Sequence, residues 1–144
     1  MCIRDRHTMI RIRAFDSSDI YKINVQPAQK DEVGLLDPTT NPEAYTVYDD
    51  TNNFVICIIV FTPINNERCS VGALLSADSG KYFVGLRRIV FKFLDLYNFP
   101  RLECLVKADF KAGHRLVKLL GFMYEGTLHR LSKGQDYCIY ARLN

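Results

Sequence analysis

Apolar and polar residues alternate from residue 10, where Ile10, Ile12 and Ala14 set against Arg11 and Arg13 predict a half-buried strand over 10–14. The cluster Asp16, Ser17, Ser18 and Asp19 supplies helix-capping side chains, so a short helix is expected to about Asn24. Pro27, Gly34, Pro38 and Pro42 then punctuate a long connection over 26–42, in which an amphipathic fragment at 29–36 reads as one short helix. Two β-rich runs at 44–48 and 53–62, separated by Asp49, Asp50, Thr51 and Asn52, read as an antiparallel hairpin. A turn over 63–68 leads to a fourth strand at 69–76. Leu86, Val90, Phe93, Leu94 and Tyr97 recur at helical spacing and predict a long amphipathic helix, stopped by Asn98, Phe99 and Pro100. A fifth strand at 102–106 follows, then a second amphipathic helix at 112–120 closed by Gly121. Two last strands at 122–131 and 135–143 flank the turn Ser132-Lys133-Gly134. The order β-α-(α)-β-β-β-α-β-α-β-β carries no internal repeat and no linker, and predicts one α/β (α+β) domain over 9–144.

Composition narrows the class. The chain has 144 residues, 48% of them hydrophobic and 24% charged, enough apolar material at domain size to bury a core without staples. Nineteen Lys and Arg against sixteen Asp and Glu leave a charge of +3, which does not call for nucleic acid and is compatible with one anion-binding corner. The five cysteines are widely spaced, and His7, His114 and His129 are scattered, so no metal site is expected. Reduced, mostly buried thiols, Cys104 and Cys138 among them, fit a cytoplasmic protein better than disulfides do. The most apolar run, 54–61, is far shorter than the roughly 20 residues that cross a bilayer as a helix, so it reads as a buried strand and implies no membrane partner. Residues 1–8 precede a second methionine, Met9, and resemble a translated cloning scar. They are expected to be a non-native leader.

The strongest local constellation is the strand at 69–76, the turn Asp78-Ser79-Gly80-Lys81 and the helix that follows. A glycine-bearing turn opening a helix points backbone N–H groups outward, and with the helix dipole and Lys81 it suits a diphosphate. The same residues also read simply as a capped core helix, with Asp78 or Ser79 as N-cap. Arg11 and Arg13 read as the solvent face of an edge strand, and Arg87 and Arg88 as the wet side of the long helix.

A resemblance emerges further on. The run Arg-Leu-Val-Lys-Leu-Leu-Gly-Phe-x-x-Glu-Gly-Thr-Leu at 115–128, followed by a turn and Asp-Tyr-x-x-Tyr-Ala-Arg at 136–142, is similar to the last third of the GNAT acetyltransferases, especially their ribosomal-protein N-terminal branch. Ser79 to Leu86 aligns with that family's acetyl-CoA pyrophosphate loop, and the first strand and helix also agree. Small tailed-phage proteins with GNAT-like sequences are similar as well. The resemblance implies a mixed, mainly antiparallel sheet flanked by helices, with strands four and five splayed.

By the same resemblance, acetyl-CoA is the co-substrate and a primary amine the acceptor, on a protein or a small molecule; an oligomer is left open. The pantetheine arm is expected along Leu74, Leu75 and Ser76, and the diphosphate at Ser79, Gly80, Lys81, Tyr82 and Phe83. Phe110, Gly113 and Val117 are expected to face the arm, with His114, on the same helix face, as proton donor to the leaving thiolate. The chain also departs from the family. Asp78 takes the place of the first loop glycine, Val117 stands where many members carry a tyrosine acid, and the fourth strand offers no acidic base, Glu67 lying just before it. The alternative is a catalytically inactive GNAT-like phage structural or interaction protein, in the host cytoplasm or the virion.

Overall fold

The central strand explains the longest apolar run. Strand β4 (Phe54–Pro63) places Cys57, Ile59 and Phe61 in one core cluster and Val55, Ile58 and Val60 in another, so both its faces are covered. A computed structural model describes residues 3–4, 9–32 and 43–144 of the chain. The other strands are β1 (Ile3–Arg4), β2 (Ile10–Ala14), β3 (Ala44–Asp49), β5 (Arg68–Leu75), β6 (Arg101–Lys107), β7 (Met123–Ser132) and β8 (Gln135–Leu143). They form one sheet in the order β1-β2-β3-β4-β5-β6-β8-β7. Among the described residues only β5–β6 is parallel and the other pairings are antiparallel, as expected of a mixed sheet.

Helix α2 (Phe83–Leu96) covers one face, burying Leu86, Ile89, Val90, Phe93 and Leu94. Each such side chain contributes roughly 1.5–3 kcal/mol. Helix α3 (Lys111–Leu119) packs beside it through Leu116 and Val117 and ends at Gly121, whose φ of +89° is one that glycine adopts without strain. The opposite face is covered by Ile23, Phe15, Ile20 and Val25, from the short helix α1 (Asp19–Lys22) and its flanks.

Four expectations are corrected. Arg11 and Arg13 do not lie on an edge strand, because β1 pairs with β2 through Ile3↔Ile12 and Arg4↔Arg11. Arg13 is not simply solvated: it bonds the fully buried Asp19 carboxylate twice at 2.8 Å and lies over the Tyr48 ring. Helix α1 stops at Lys22, and Asn24 and Val25 instead run antiparallel to Ser76 and Ala77. Within the long connection, Pro27–Glu32 is a 3-10 helix, and the rest of the amphipathic fragment lies outside the described residues.

Candidate active site

Strands β5 and β6 share three rungs, Arg68↔Arg101, Cys69↔Leu102 and Ser70↔Glu103, and then separate. Beyond Glu103, β6 keeps its pairing with β8 while β5 keeps its pairing with β4, so the sheet opens between them. The closed end is clamped by charge. Glu103 accepts Arg68 Nε at 2.6 Å and Arg101 Nε at 2.8 Å, and Arg101 continues to Glu125. The Arg68 bond, with help from Arg101, outweighs burial and holds the Glu103 carboxyl down at about 2.

The wedge holds a cavity of about 440 Å³. Val71, Ala73 and Leu75 line it from β5, Cys104 and Val106 from β6, and Phe110, Gly113, Leu116 and Val117 from the α3 side. Tyr137 of β8 and Gln29 of the 3-10 helix complete a wall that is mostly apolar. Gly113 is needed there, because a Cβ would lie 2.6 Å from Phe110 Cδ2 and 3.0 Å from Val106 Cγ1. The ring of Phe110 therefore rests over the first turn of α3.

Of the residues expected along a cofactor arm, Leu75, Phe110, Gly113 and Val117 meet in this cavity. Leu74 does not: it is fully buried with Ile58 and Val60 on the opposite face of the sheet. Ser76 is also fully buried, its hydroxyl accepting the Asp78 amide at 3.2 Å. Gly80, Lys81, Tyr82 and Phe83 line a separate cavity of about 560 Å³ with Asp49 and Arg88, so the two halves of the expected cofactor site open into different spaces.

The helix tip also differs from expectation. Residues Ser79–Tyr82 form a 3-10 turn before α2 begins. The amides of Ser79, Lys81 and Phe83 donate to the carbonyls of Ser76, Asp78 and Gly80, spending donors that an outward-facing tip would offer. Buried Ser79 accepts from Gln26 Nε2 at 3.3 Å, and the Tyr82 hydroxyl donates to Asp49 at 2.9 Å while its ring stacks on Phe54. Around Gly80 a Cβ would meet nothing within 4 Å, so this corner stays open.

His114 leaves the face expected of it. Its Nε2 lies 3.0 Å from the carbonyl oxygens of both Lys107 and Ala108, and its Nδ1 2.8 Å from the Tyr140 hydroxyl. Carbonyls only accept, so Nε2 carries a proton, and Nδ1 is bonded to the Tyr140 hydroxyl. The imidazole is thus part of the β6–α3–β8 junction and is absent from the cavity lining. Glu67 is exposed in the β4–β5 turn, at the paired end of the wedge. Among the described residues no group of side chains could hold a metal ion.

Two wall residues, Gln29 and Tyr137, and Lys107 at the end of β6 outside the wall were not singled out by sequence. Gln29 lies within the 3-10 helix, and its carboxamide both donates to Ala73 O at 2.7 Å and accepts the Leu75 amide at 2.8 Å. Lys107 donates to Ala28 O at 3.3 Å. Tyr137 falls inside the quoted 136–142 motif, whose strand alternation was the available signal.

No family model matches the sequence, and no curated protein matches it either. Solved structures do match in shape. A GNAT-family acetyltransferase from Bacillus anthracis superposes with a TM-score of 0.73 at 14% identity, over 99% of this chain and 98% of its own. The ribosomal-protein-S5-alanine acetyltransferase of Vibrio fischeri gives 0.73 at 16% identity, over 99% and 97%. Ard1 from Thermoplasma volcanium gives 0.71 at 15%, over 94% and 98%. The fold is that of the GNAT acetyltransferases. The parted β5 and β6, with the helix-flanked mixed sheet around them, are the elements the GNAT resemblance implied, and α2 and α3 sit in the order it required. No helix among the described residues is long and apolar enough to cross a membrane.

Proposed function

We propose that this GNAT-fold protein is an acyl-CoA-dependent N-acetyltransferase, transferring acetyl from acetyl-CoA to a primary amine. The observation that carries the reading is the wedge itself, an apolar cavity bordered by a strand edge where two neighbours part. An extended amide-bearing arm bonds such an edge as an added strand would. The wedge fits the arm; Leu75 would bond it, and Phe110, Gly113 and Val117 would pack on it. The diphosphate would have to leave the wedge to reach Gly80 and Lys81 at the open corner of the tip, which line the neighbouring cavity. When bound, the thioester supplies an activated acetyl group, so the chain need form no covalent intermediate.

What the chain contributes is placement and protons. A β5 amide facing the cavity would polarise the thioester carbonyl, with the amine held at about 3–3.5 Å. No carboxylate or imidazole lines the cavity among the described residues, so the acceptor amine enters neutral, its proton passing to solvent. Since His114 is held elsewhere, the Tyr137 hydroxyl is the acid we assign to the leaving thiolate.

A second reading has its own observation. The tip amides spent internally, and β5 edge groups already bonded by Gln29, favour a GNAT-fold protein that no longer catalyses. Melting temperature with and without acetyl-CoA separates the two. Ligand at a hundred times its Kd stabilises the folded chain by about 2.7 kcal/mol, whereas the inactive reading expects no shift at millimolar concentration. Mass spectrometry of an amine panel incubated with acetyl-CoA then tests transfer.

A further inference from the structure

The segment from Asn24 to Gln29 does to β5 what an added ligand strand would do. Asn24 O accepts the Ala77 amide at 2.7 Å, Val25 bridges Ser76, and the Gln26 amide donates to Leu75 O at 2.9 Å. Gln29, only 5% exposed, then replaces a peptide group with its side chain, donating to Ala73 O and accepting from Leu75 N. Leu75 thus has its amide and carbonyl both bonded by this segment, on the edge that faces away from β4. On the other side of the opening, Lys107 at the end of β6 reaches Ala28 O. The segment therefore spans the mouth of the wedge, tied to both parted strands.

We infer that residues 24–29 form an intrasteric strap that occupies the β5 edge in place of a thioester arm, so that Gln29 must release Ala73 and Leu75 before acetyl-CoA can bind. This inference rests on the acetyl-CoA reading above. The described conformation is the closed one, and apparent affinity equals the intrinsic affinity scaled by the fraction of chains whose strap is released. Polar side-chain bonds of this kind, unlike an apolar plug, exchange one amide partner for another at little net cost. They suit a latch that a ligand carrying its own amides replaces.

The experiment is isothermal titration of acetyl-CoA into the full chain and into Gln29→Ala and Gln29→Glu, with hydrogen exchange at the Leu75 amide followed without ligand. Gln29→Ala should bind about tenfold tighter than the parent chain, and its Leu75 amide should exchange faster. Gln29→Glu retains an acceptor for Leu75 but has no donor for Ala73, and should fall between the two. Equal or weaker binding by folded Gln29→Ala, with the parent chain binding normally, overturns the strap and leaves the acetyl-CoA reading standing. No binding by any of the three refutes both. Unchanged exchange at Leu75 refutes the latch whatever the titrations show.

Discussion

The Tyr140 hydroxyl and His114 Nδ1 are hydrogen-bonded across 2.8 Å, while the other ring nitrogen of His114 donates to two carbonyls at the end of β6. These contacts place a proton on Nε2 and tie helix α3 to β6 and β8. Replacing His114 by Ala strands the buried Tyr140 hydroxyl and should cost about 1–3 kcal/mol, read as a lower urea midpoint. Acetyl transfer per folded molecule should be unchanged. A rate falling in step with loss of the imidazole would return the proton-donor role to His114.

Acid should destabilise the chain through two carboxylates. Burial opposes the charge of Asp19, but the Arg13 bonds, the Asp16 amide and the Thr46 hydroxyl outweigh it and hold Asp19 at about 2, against an ordinary 3.8. Glu103 sits at about 2 against 4.5. Both are depressed on folding, so the unfolded chain takes up protons first; their stabilisation is complete above about pH 4.5 and is lost as pH falls toward 2. Asp19 accounts for roughly 2 kcal/mol, and Glu103 for less than its shift suggests because Arg68 is half solvated. Urea midpoints of the parent chain and Arg13→Met at pH 7 and pH 3 check this: the variant should lose less on acidification.

Two glycines should respond in opposite ways to alanine. Gly80→Ala meets open space and should stay within about 0.5 kcal/mol of the parent. Gly113→Ala forces the Phe110 ring and Val106 aside, with an expected cost of about 1–3 kcal/mol despite alanine's better helix propensity. Differential scanning calorimetry of the pair, with equal melting temperatures as the contrary result, tests the cavity wall directly.

Thiol reactivity should sort by depth. Burial pushes the Cys57 thiol up to about 12 and Cys69 to about 11, so both should resist alkylation at pH 8. Among the described cysteines, Cys104 and Cys138 are only partly buried and should label before the other two. If acetyl-CoA occupies the wedge, it should slow Cys104 more than Cys138, because only Cys104 lines the cavity. Peptide mapping after timed iodoacetamide exposure gives the order.

Periodicity made the long elements legible. The doubly buried β4 and the stripe of α2 are local patterns, and chain order with the 115–142 motif pointed to splayed strands. What escaped was set by distant partners. Asp19 reads as a capping residue, yet its carboxylate is the buried counter-ion of Arg13 and accepts from Thr46, 27 positions away. Gln29 looked like one polar residue in a proline-punctuated connection, and its partners on β5 lie 44 and 46 positions along the chain. The helix opening at Gly80 was visible, but whether its donors face outward or fold back into a 3-10 turn depends on backbone geometry that composition does not encode.

Three rungs and one ionic cluster join β1–β5 to β6–β8 within the sheet. Mechanically the molecule is a book with its spine at Arg68 and Glu103, its pages clasped across the open side by the 24–29 segment at Leu75 and Lys107. With that clasp released, a change in aperture would pivot about the Arg68–Glu103–Arg101 cluster, so a substitution that softens the spine should alter the gap without touching a residue inside it.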